Sequence, residues 1–426
     1  MNRSLVDEFQ ARGMFEQVTN EAGLREHLAR PGAAFYIGFD PTADSLHVGS
    51  LLPVMALAHV QRAGHRPIAL VGGATGMIGD PSGRSSERNL LTAEQVAENC
   101  AGIRRQLEHF ISFEGRAAAM LVDNHDWIGA MSFIEWLRDV GKHFTVNYMM
   151  AKESVRRRLE DREHGISYTE FSYMTLQAYD FYHLYEKHGC RVQGGGSDQW
   201  GNITAGIELI RRKAGVEAFG ITFPLVKTAS GEKFGKSAGN AIWLDPKRTS
   251  PYEFYQFWVR TDDRDVENYL KYFTFLEVDE IETLCSAHRD DPGRREAQKR
   301  LAAEVTRLVH GEEGLNAARQ ASQALFGGDV TGMSDRELLA IFADVPSTEV
   351  ERGRLEQGYP LVELLADSGA CKSRGEARRL VRNGGAYLNN QRLDDPEKII
   401  GVGDLASESV LILRTGKKNY RLVKVV

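Results

Sequence analysis

The first half of the chain alternates between two hydrophobic periods. Short apolar runs at AAFYIGF (33–39), RPIALVGG (66–73) and AAAMLVDN (117–124) are separated by longer stretches, SLLPVMALAHVQRAG (50–64) and TAEQVAENCAGIRRQLEHF (92–110). In the longer stretches apolar residues recur every three or four positions, so they predict helices, while the short runs predict buried strands. Strand and helix in alternation predict a parallel sheet with helices on both faces, whose ligands gather at the carboxyl ends of the strands.

A second strand–helix unit follows at CRVQGGGSDQWGNITAGIELIRRKAG (190–215), and from about Ser250 to Leu325 the pattern is helical throughout. The stretch GGDVTGMSDRELLAIFADVPSTEVERGRLEQG (327–358) mixes Gly, Pro and acidic residues with one short apolar helix and reads as a linker. These shifts predict a doubly wound α/β domain over 1–247, a helical domain over 248–328, a linker over 329–356 and a small α+β domain over 357–426. There is no internal repeat and no low-complexity segment.

Composition changes this picture little: 42% hydrophobic and 26% charged residues suit a globular chain. No apolar run approaches the ~18 residues of a membrane span, and MNRSLVDEFQARGMFEQVT lacks a signal-peptide core, so a cytoplasmic protein with no membrane partner is expected. Cys100, Cys190, Cys285 and Cys371 are scattered and form no CxxC pair, which argues against disulfides and against a metal site. Charge is uneven. Residues 357–426 carry twelve Lys and Arg against eight Asp and Glu, a local +4 that leaves −10 on the first 356 residues. A basic tail on an acidic body predicts that the tail meets a polyanion.

Polar residues that interrupt the pattern fall in five clusters. In YIGFDPTADSLHVGSLLP (36–53) a strand turns into a helix that opens near His47, Gly49 and Ser50. N–H groups at a helix start lack intrahelical partners and add to the helix dipole, so this end is expected to attract phosphate. His47, Thr42 and Ser50 supply donors on one rim, and Gly38 and Gly49 leave room for a ligand; for His47 alone, a cap or surface histidine is the plainer reading. The second cluster, GGATGMIGDPSGRSSER, has glycines at 73, 76 and 79 and is not the GxGxxG dinucleotide fingerprint. Its Asp80 is either a turn former or an acceptor for a substrate ammonium group.

In the third cluster, EFSYMTLQAYDFYHLYEKH (170–188), Tyr173, Gln177 and Asp180 share one face of a helix among aromatics. Buried polar groups need partners, so this trio points to a ligand. In QGGGSDQWGN, Gly194, Gly195 and Gly196 either let backbone lie against a sugar or base or form a flexible turn, and Asp198 suits vicinal hydroxyls. The fifth, GEKFGKSAGN, contains Gly-Lys-Ser, but a Walker loop requires glycine where Ser230 stands. Lys233 and Lys236 there are a mobile cationic pair for an anion or, more plainly, two solvated lysines.

Taken together the clusters resemble the bacterial tyrosyl-tRNA synthetase family of the class I aminoacyl-tRNA synthetases. HVGS stands where the HIGH signature falls and KFGKS where KMSKS falls, and FDPTADSLH, GGATGMIGDPSG, EFSYMTLQAYDF and GGSDQWGN extend the match over nearly the whole chain. The resemblance implies a Rossmann-like catalytic domain, a helical domain and a small RNA-binding domain. It implies that Tyr36 and Asp180 hydrogen-bond the phenol of tyrosine, that Tyr173, Gln177 and Asp80 cradle its α-ammonium group, and that Gln199 lies near its carboxylate. Gly38, Asp40, Gly49, Ser50, Gly196 and Asp198 are implied around ATP. Thr42, His47, Lys233 and Lys236 are implied at the triphosphate as the catalytic set, with Arg84 and Arg88 as helpers on a mobile loop.

Implied substrates are L-tyrosine, ATP with Mg²⁺, and tRNA(Tyr), with no tightly bound cofactor. YPLVELLADSGACKSRGEARRLVRNGGAYLNNQRL resembles an RNA-binding module shared with a ribosomal protein, which implies tRNA contact by Lys372, Arg374, Arg378, Arg379 and Arg382, with GGAYLNNQRL as a hairpin. Family members are homodimers, and WIGAMSFIEWLRDVGKHFTVNYMM (127–150) is apolar enough to be either an interface or a buried core helix. Two positions depart from the family pattern: Ser50 replaces the second histidine of HIGH, and Ile37 stands where a cysteine is common. Two other readings stay open, a relative that has become a structural RNA-binding protein and the sister enzyme for tryptophan, although Tyr36 and Asp180 suit a phenol better than an indole N–H.

Overall fold

The computed structural model describes residues 3–82, 91–160, 165–231, 234–237, 240–324, 327–330, 332–343, 345–416 and 419–426. By internal packing these fall into two units, 1–248 with 257–309 and 249–256 with 310–426.

In the first unit, β1 (Gln17–Val18), β2 (Ala34–Phe39), β3 (Arg66–Val71), β4 (Met120–Asp123), β5 (Val192–Gly196) and β6 (Phe219–Phe223) form one sheet in the order β1-β6-β5-β2-β3-β4. All pairings from β6 to β4 are parallel, as the alternation predicts, and β1 adds an antiparallel edge. Parallel strands covered on both faces read as continuous apolar runs, which is why Ala34–Ile37 and Ile68–Val71 are buried without a break. The winding reverses at β2, which has β5 on one side and β3 on the other, so the switch point opens where the chain leaves the sheet after Phe39.

Helices complete the frame of the site. In Leu51–Arg62, 9 of 12 side chains are buried. Helix Tyr168–His188 packs beside helix Trp200–Ala214, where a Cβ on Gly206 would fall 2.9 Å from the Phe181 ring. The longer helix is capped at its start by Ser167, which accepts the Glu170 N–H, and ends on Gly189 in the left-handed conformation (φ 63°), with Lys187 and His188 in its last turn.

The expected helical stretch contains Pro251–Val259, Val266–Phe273, Val278–Asp290 and Glu296–Ala324. It is not one domain by packing: 257–309 joins the sheet unit and the remainder joins the second, and the last helix is interrupted at Gly311 (φ 71°, ψ −178°).

The second unit holds β7 (Ser347–Val350), β8 (Ala386–Leu388), β9 (Gln391–Leu393), β10 (Val410–Thr415) and β11 (Asn419–Val425) in the order β9-β8-β10-β11-β7. The expected hairpin is present: Asn389 and Asn390 have φ of 48° and 65°, the pair a two-residue turn with the strand's own twist requires. The linker expected over 329–356 is instead folded. β7 pairs in parallel with β11, and helix Asp335–Ile341 packs Leu338 and Ile341 against Val410, Ile412 and Leu422. The opposite face of the same strands, Leu411, Leu413 and Val423, is covered by Leu361, Leu364, Leu365, Ala377 and Val381. A two-sided sheet needs both covers, so the segment that composition marks as a connection is half of this core.

Candidate active site

Polar side chains that follow the carboxyl ends of β2, β3 and β4 join two from the helix Tyr168–His188 in a ring of five. Tyr173 donates its hydroxyl to Asp40 Oδ2 (3.0 Å), and Thr75 donates to Asp40 Oδ1 (3.1 Å). Asn124 Nδ2 donates to Thr75 Oγ1 (3.0 Å) and to Asp180 Oδ2 (3.0 Å). Asp180 sits seven residues after Tyr173 on the same helix, which returns the ring to its start. The other oxygen of Asp180 accepts from Trp127 Nε1 (2.8 Å), and Trp127 is held by His183, stacked at 4.4 Å.

Tyr36, on β2, is buried in a mainly apolar cluster that includes Ile68, Leu70, Met174 and Phe181, within range of the Asp180 charge. It is 1% exposed, yet among the described residues its hydroxyl has no hydrogen-bond partner. Gln193, in register with Tyr36 on β5 and therefore on the same face, also has an unpartnered side-chain oxygen. A buried polar atom without a partner costs about 1–3 kcal/mol, so an incoming group with its own donor and acceptor would find unmet partners here. A phenol is such a group.

Electrostatics agree with a closed site. Burial, against the pull of the Asn124 and Trp127 hydrogen bonds, pushes the Asp180 carboxyl up to about 8. The Tyr36 phenol is held well above its ordinary value by burial and then by the Asp180 charge. Burial and then Asp40 and Asp80 do the same to Tyr173.

Asp80 accepts from the Ser82 N–H (2.9 Å) and from Gln199 Nε2 (2.7 Å). Asn202 Nδ2 reaches Gln177 Oε1 (3.1 Å) and Gln199 Oε1 (3.2 Å). The structure thus brings Asp80, Gln177 and Gln199 together, while the Tyr173 hydroxyl is committed to Asp40. Gly194 and Gly195 belong to β5 and form no flexible turn: a Cβ at Gly194 would lie 2.7 Å from the Phe35 ring and one at Gly195 3.1 Å from Gln199 Cβ. At Gly196 it would meet the Asp198 carboxylate at 2.6 Å, so the glycine lets that exposed carboxylate fold back over the strand end.

The helix start at HVGS differs from the expectation of open amides. The Gly49 N–H donates to His47 Nδ1 (3.0 Å), Ser50 N–H to His47 O (2.8 Å) and Val48 N–H to Ile242 O (2.9 Å). A 3₁₀ turn over Val48–Ser50 and a backbone segment some 200 positions downstream consume the donors before any ligand arrives. What remains is side-chain chemistry. Because Nδ1 accepts, the neutral His47 ring carries its proton on Nε2, which is a donor, and the Ser50 hydroxyl makes no cap. Gly49 has a second reason to be glycine: a Cβ there would be 2.6 Å from the His47 ring. Thr42, in the loop between β2 and this turn, is exposed, and Gly38 is the one exposed residue of β2.

The KFGKS segment is anchored at this helix start. Ile242 N–H donates to Gly235 O (3.0 Å), and a Cβ on Gly235 (φ 89°) would be 2.9 Å from Val48 and 3.3 Å from the Gly49 nitrogen. Lys233, the Lys236 side chain, Arg84 and Arg88 lie outside the described residues. In the second unit Lys372, Arg374, Arg378, Arg379 and Arg382 are all exposed on and just before helix Arg374–Arg382. Arg374 pairs with Glu363 (2.9 Å) and Arg378 with Glu397 (3.1 Å). Sequence reasoning missed Thr75, Asn124, Trp127, Gln193 and Asn202; the one local signal was polar Asp123-Asn124 closing an apolar strand run.

The family model for class I tRNA synthetases (W and Y) matches residues 30–327, and that for a tyrosine–tRNA ligase SYY-like C-terminal domain matches 337–423. Over 423 residues the chain is 54% identical to a tyrosine–tRNA ligase of Rhodopirellula baltica, covering 99% of this chain and 96% of the relative. It is also 54% identical over 422 residues to that of Geobacillus stearothermophilus, covering 99% of each. A solved structure, the C-terminally truncated mitochondrial tyrosyl-tRNA synthetase of Aspergillus nidulans, superposes with a TM-score of 0.69 at 34% identity, over 76% of this chain and 95% of that one.

Proposed function

Because the chain belongs to the class I tRNA synthetase family, in its tyrosine–tRNA ligase branch, we propose that the pocket floored by Tyr36 and Asp180 receives the tyrosine phenol and that the rim from Asp40 to His47 receives ATP. The activity is that of a tyrosine–tRNA ligase: tyrosine is activated with ATP and passed to the 3′ end of tRNA. Attack of the tyrosine carboxylate on the α-phosphorus forms one P–O bond as the bond to pyrophosphate breaks, giving tyrosyl-adenylate; a terminal ribose hydroxyl of tRNA then attacks the tyrosyl carbonyl and AMP leaves.

A carboxylate needs no general base, so the protein's work is alignment of two anions and stabilisation of the charge on the departing pyrophosphate. Asp80, Gln177 and Tyr173 suit the ammonium group and Gln199 the carboxylate. Asp40, Gly38, Gly49, Gly196 and Asp198 suit the nucleoside. His47 Nε2–H, Thr42, Ser50, Lys233 and Lys236, with Arg84 and Arg88, suit the triphosphate, to which Mg²⁺ comes as part of the substrate.

The observation that supports the tyrosine pocket most is the buried Tyr36 hydroxyl without a partner, within range of the Asp180 charge. Phenylalanine would leave both unmatched; the tyrosine enzyme class is itself the known case of such discrimination, about 10⁵ without editing. ATP–pyrophosphate exchange with tyrosine, phenylalanine and tryptophan tests it. Tyrosine should sustain exchange orders of magnitude better than phenylalanine or tryptophan, and Tyr36→Phe should lose about tenfold in kcat/KM for tyrosine, one neutral hydrogen bond, with no loss in the residual value for phenylalanine. Equal loss for both amino acids would remove the assignment.

Two further parts rest on the second unit and on an apolar face. Arg379 and Arg382 are exposed and, among the described residues, unpaired, which suits phosphate contact with tRNA. Replacing both with Ala should flatten the salt dependence of tRNA binding by about two units of the log–log slope in filter binding; an unchanged slope counts against the contact. A cytoplasmic homodimer is the proposed state. Phe133 and Ile134 are 61% and 63% exposed, so that segment is not a buried core helix, and its exposed apolar side chains suit a subunit interface. Sedimentation as a monomer would overturn this.

A further inference from the structure

We propose that Thr75 and Asn124 are positioning residues that make the phenol end and the nucleotide end of the site one mechanical unit, so that tyrosine and ATP bind cooperatively through them. This rests on the reading above that Asp180 meets the phenol and Asp40 the nucleotide.

The hydrogen bonds leave little freedom. Asn124 has two amide protons, and both are spent, one on Asp180 Oδ2 and one on Thr75 Oγ1; its carbonyl accepts the Ala74 N–H (2.8 Å). Thr75 has one hydroxyl proton, spent on Asp40 Oδ1. Donation therefore runs one way, from Asn124 through Thr75 to Asp40, and from Asn124 to Asp180, so each carboxylate is oriented by the same amide. Tyr173 fixes the second oxygen of Asp40 from the helix that also bears Asp180.

The backbone beneath is clamped in step. Asp123 Oδ1 accepts the Gly73 N–H (3.0 Å), while Asn124, the next residue, takes the Ala74 N–H, so consecutive residues at the end of β4 hold consecutive amides after β3. Gly73 must lack a side chain here, because a Cβ would sit 2.2 Å from that same Asp123 oxygen. Thr75, Asn124 and Asp180 are buried. A ligand that draws Asp180 toward its phenol therefore pulls the amide that aims Thr75, and Thr75 is one of the groups that aim Asp40. Neither end can adjust alone, and ordering one end lowers the cost of ordering the other.

The test measures tyrosine affinity by calorimetry with and without saturating adenosine 5′-(α,β-methylene)triphosphate, in the full-length wild type, Thr75→Val, Thr75→Ala and Thr75→Ser. Wild type should bind tyrosine at least about fivefold more tightly with the nucleotide analogue present, the lower end of ordinary site–site coupling. In Thr75→Val the ratio should fall toward one. Thr75→Ala, which removes the hydroxyl without adding bulk, should give the same loss and so show that it does not come from the Val methyl, and Thr75→Ser should restore the wild-type ratio. A merely structural role would weaken each ligand without changing the ratio. A wild-type ratio of one, an unchanged ratio in both Val and Ala variants, or failure of Ser to restore it overturns the relay. Asp180→Asn in the same experiment separates the two layers: undiminished tyrosine affinity there removes the pocket reading itself and the relay with it.

Discussion

Asp180→Asn is expected to lower kcat/KM for tyrosine in pyrophosphate exchange by about 10²- to 10³-fold, with little loss of folded protein. The side chain is 2% exposed, and each of its oxygens already accepts an N–H, one from Asn124 and one from Trp127. An amide has one acceptor oxygen, so one of those donors must face an NH₂ group, and the charge that would meet the substrate phenol is gone. Loss of a hydrogen bond to a buried charge costs about 3–4 kcal/mol, which is the range stated. The pH profile carries a second signature. Burial raises this carboxyl to about 8, so the ionised acceptor fills in only as pH climbs toward that value, and wild-type kcat/KM should rise from pH 6 to 8 and level above it. Stability moves the opposite way: the folded state favours the protonated form, so this group's contribution is intact below the ordinary carboxylate range near 4 and is lost as pH rises through 8. The Asn variant should show neither slope. A flat wild-type profile between pH 6 and 9, or a variant within threefold of wild type, would sink this account of the pocket.

The sheet was legible because parallel strands covered on both faces must be apolar throughout, and AFYI and IALV carry that mark without help from the rest of the chain. β1 was not legible, since two residues have no period; it exists because Gln17 and Val18 meet the free edge of β6. The segment 329–356 was misread for a related reason. Its Gly, Pro and acid content is that of a loop, and β7 is held by backbone pairing with β11, which leaves no trace in side-chain pattern.

In the site, residues on the signature motifs could be named from sequence, but the groups that orient them could not. Asn124 and Trp127 follow a strand whose end is placed beside the Gly72–Thr75 turn only by the register of Val71 with Asp123. The helix start shows the same limit in reverse. HVGS reads locally as a set of free amides, and it is the distant backbone at 242–244, bridged to His47 through Trp243, together with the folded-back His47 ring, that satisfies them. Local chemistry says which groups are available; partners remote in sequence decide which stay available.

Arg158→Met is expected to destabilise the first unit by about 3–5 kcal/mol, read by urea denaturation, and to weaken tyrosine binding through a residue that is not in the pocket. Arg158 and Glu170 are each 3% exposed and meet through two bonds of 2.9 Å, with the Arg158 Nε on the Gly165 carbonyl at 2.9 Å. Removing the guanidinium strands a buried carboxylate, and that stranded charge, more than any net strength of the pair, accounts for the size of the loss. Glu170 lies one turn before Tyr173, in the first turn of the helix that carries Tyr173, Gln177 and Asp180, so solvating the carboxylate requires that turn to open. The double variant Arg158→Met with Glu170→Leu removes both charges and should recover most of the stability together with tyrosine affinity. If the single variant unfolds within 1 kcal/mol of wild type, or if the double variant is as unstable as the single, the helix is not held by this pair and its placement must be credited to the packing of Phe181 against Gly206 instead.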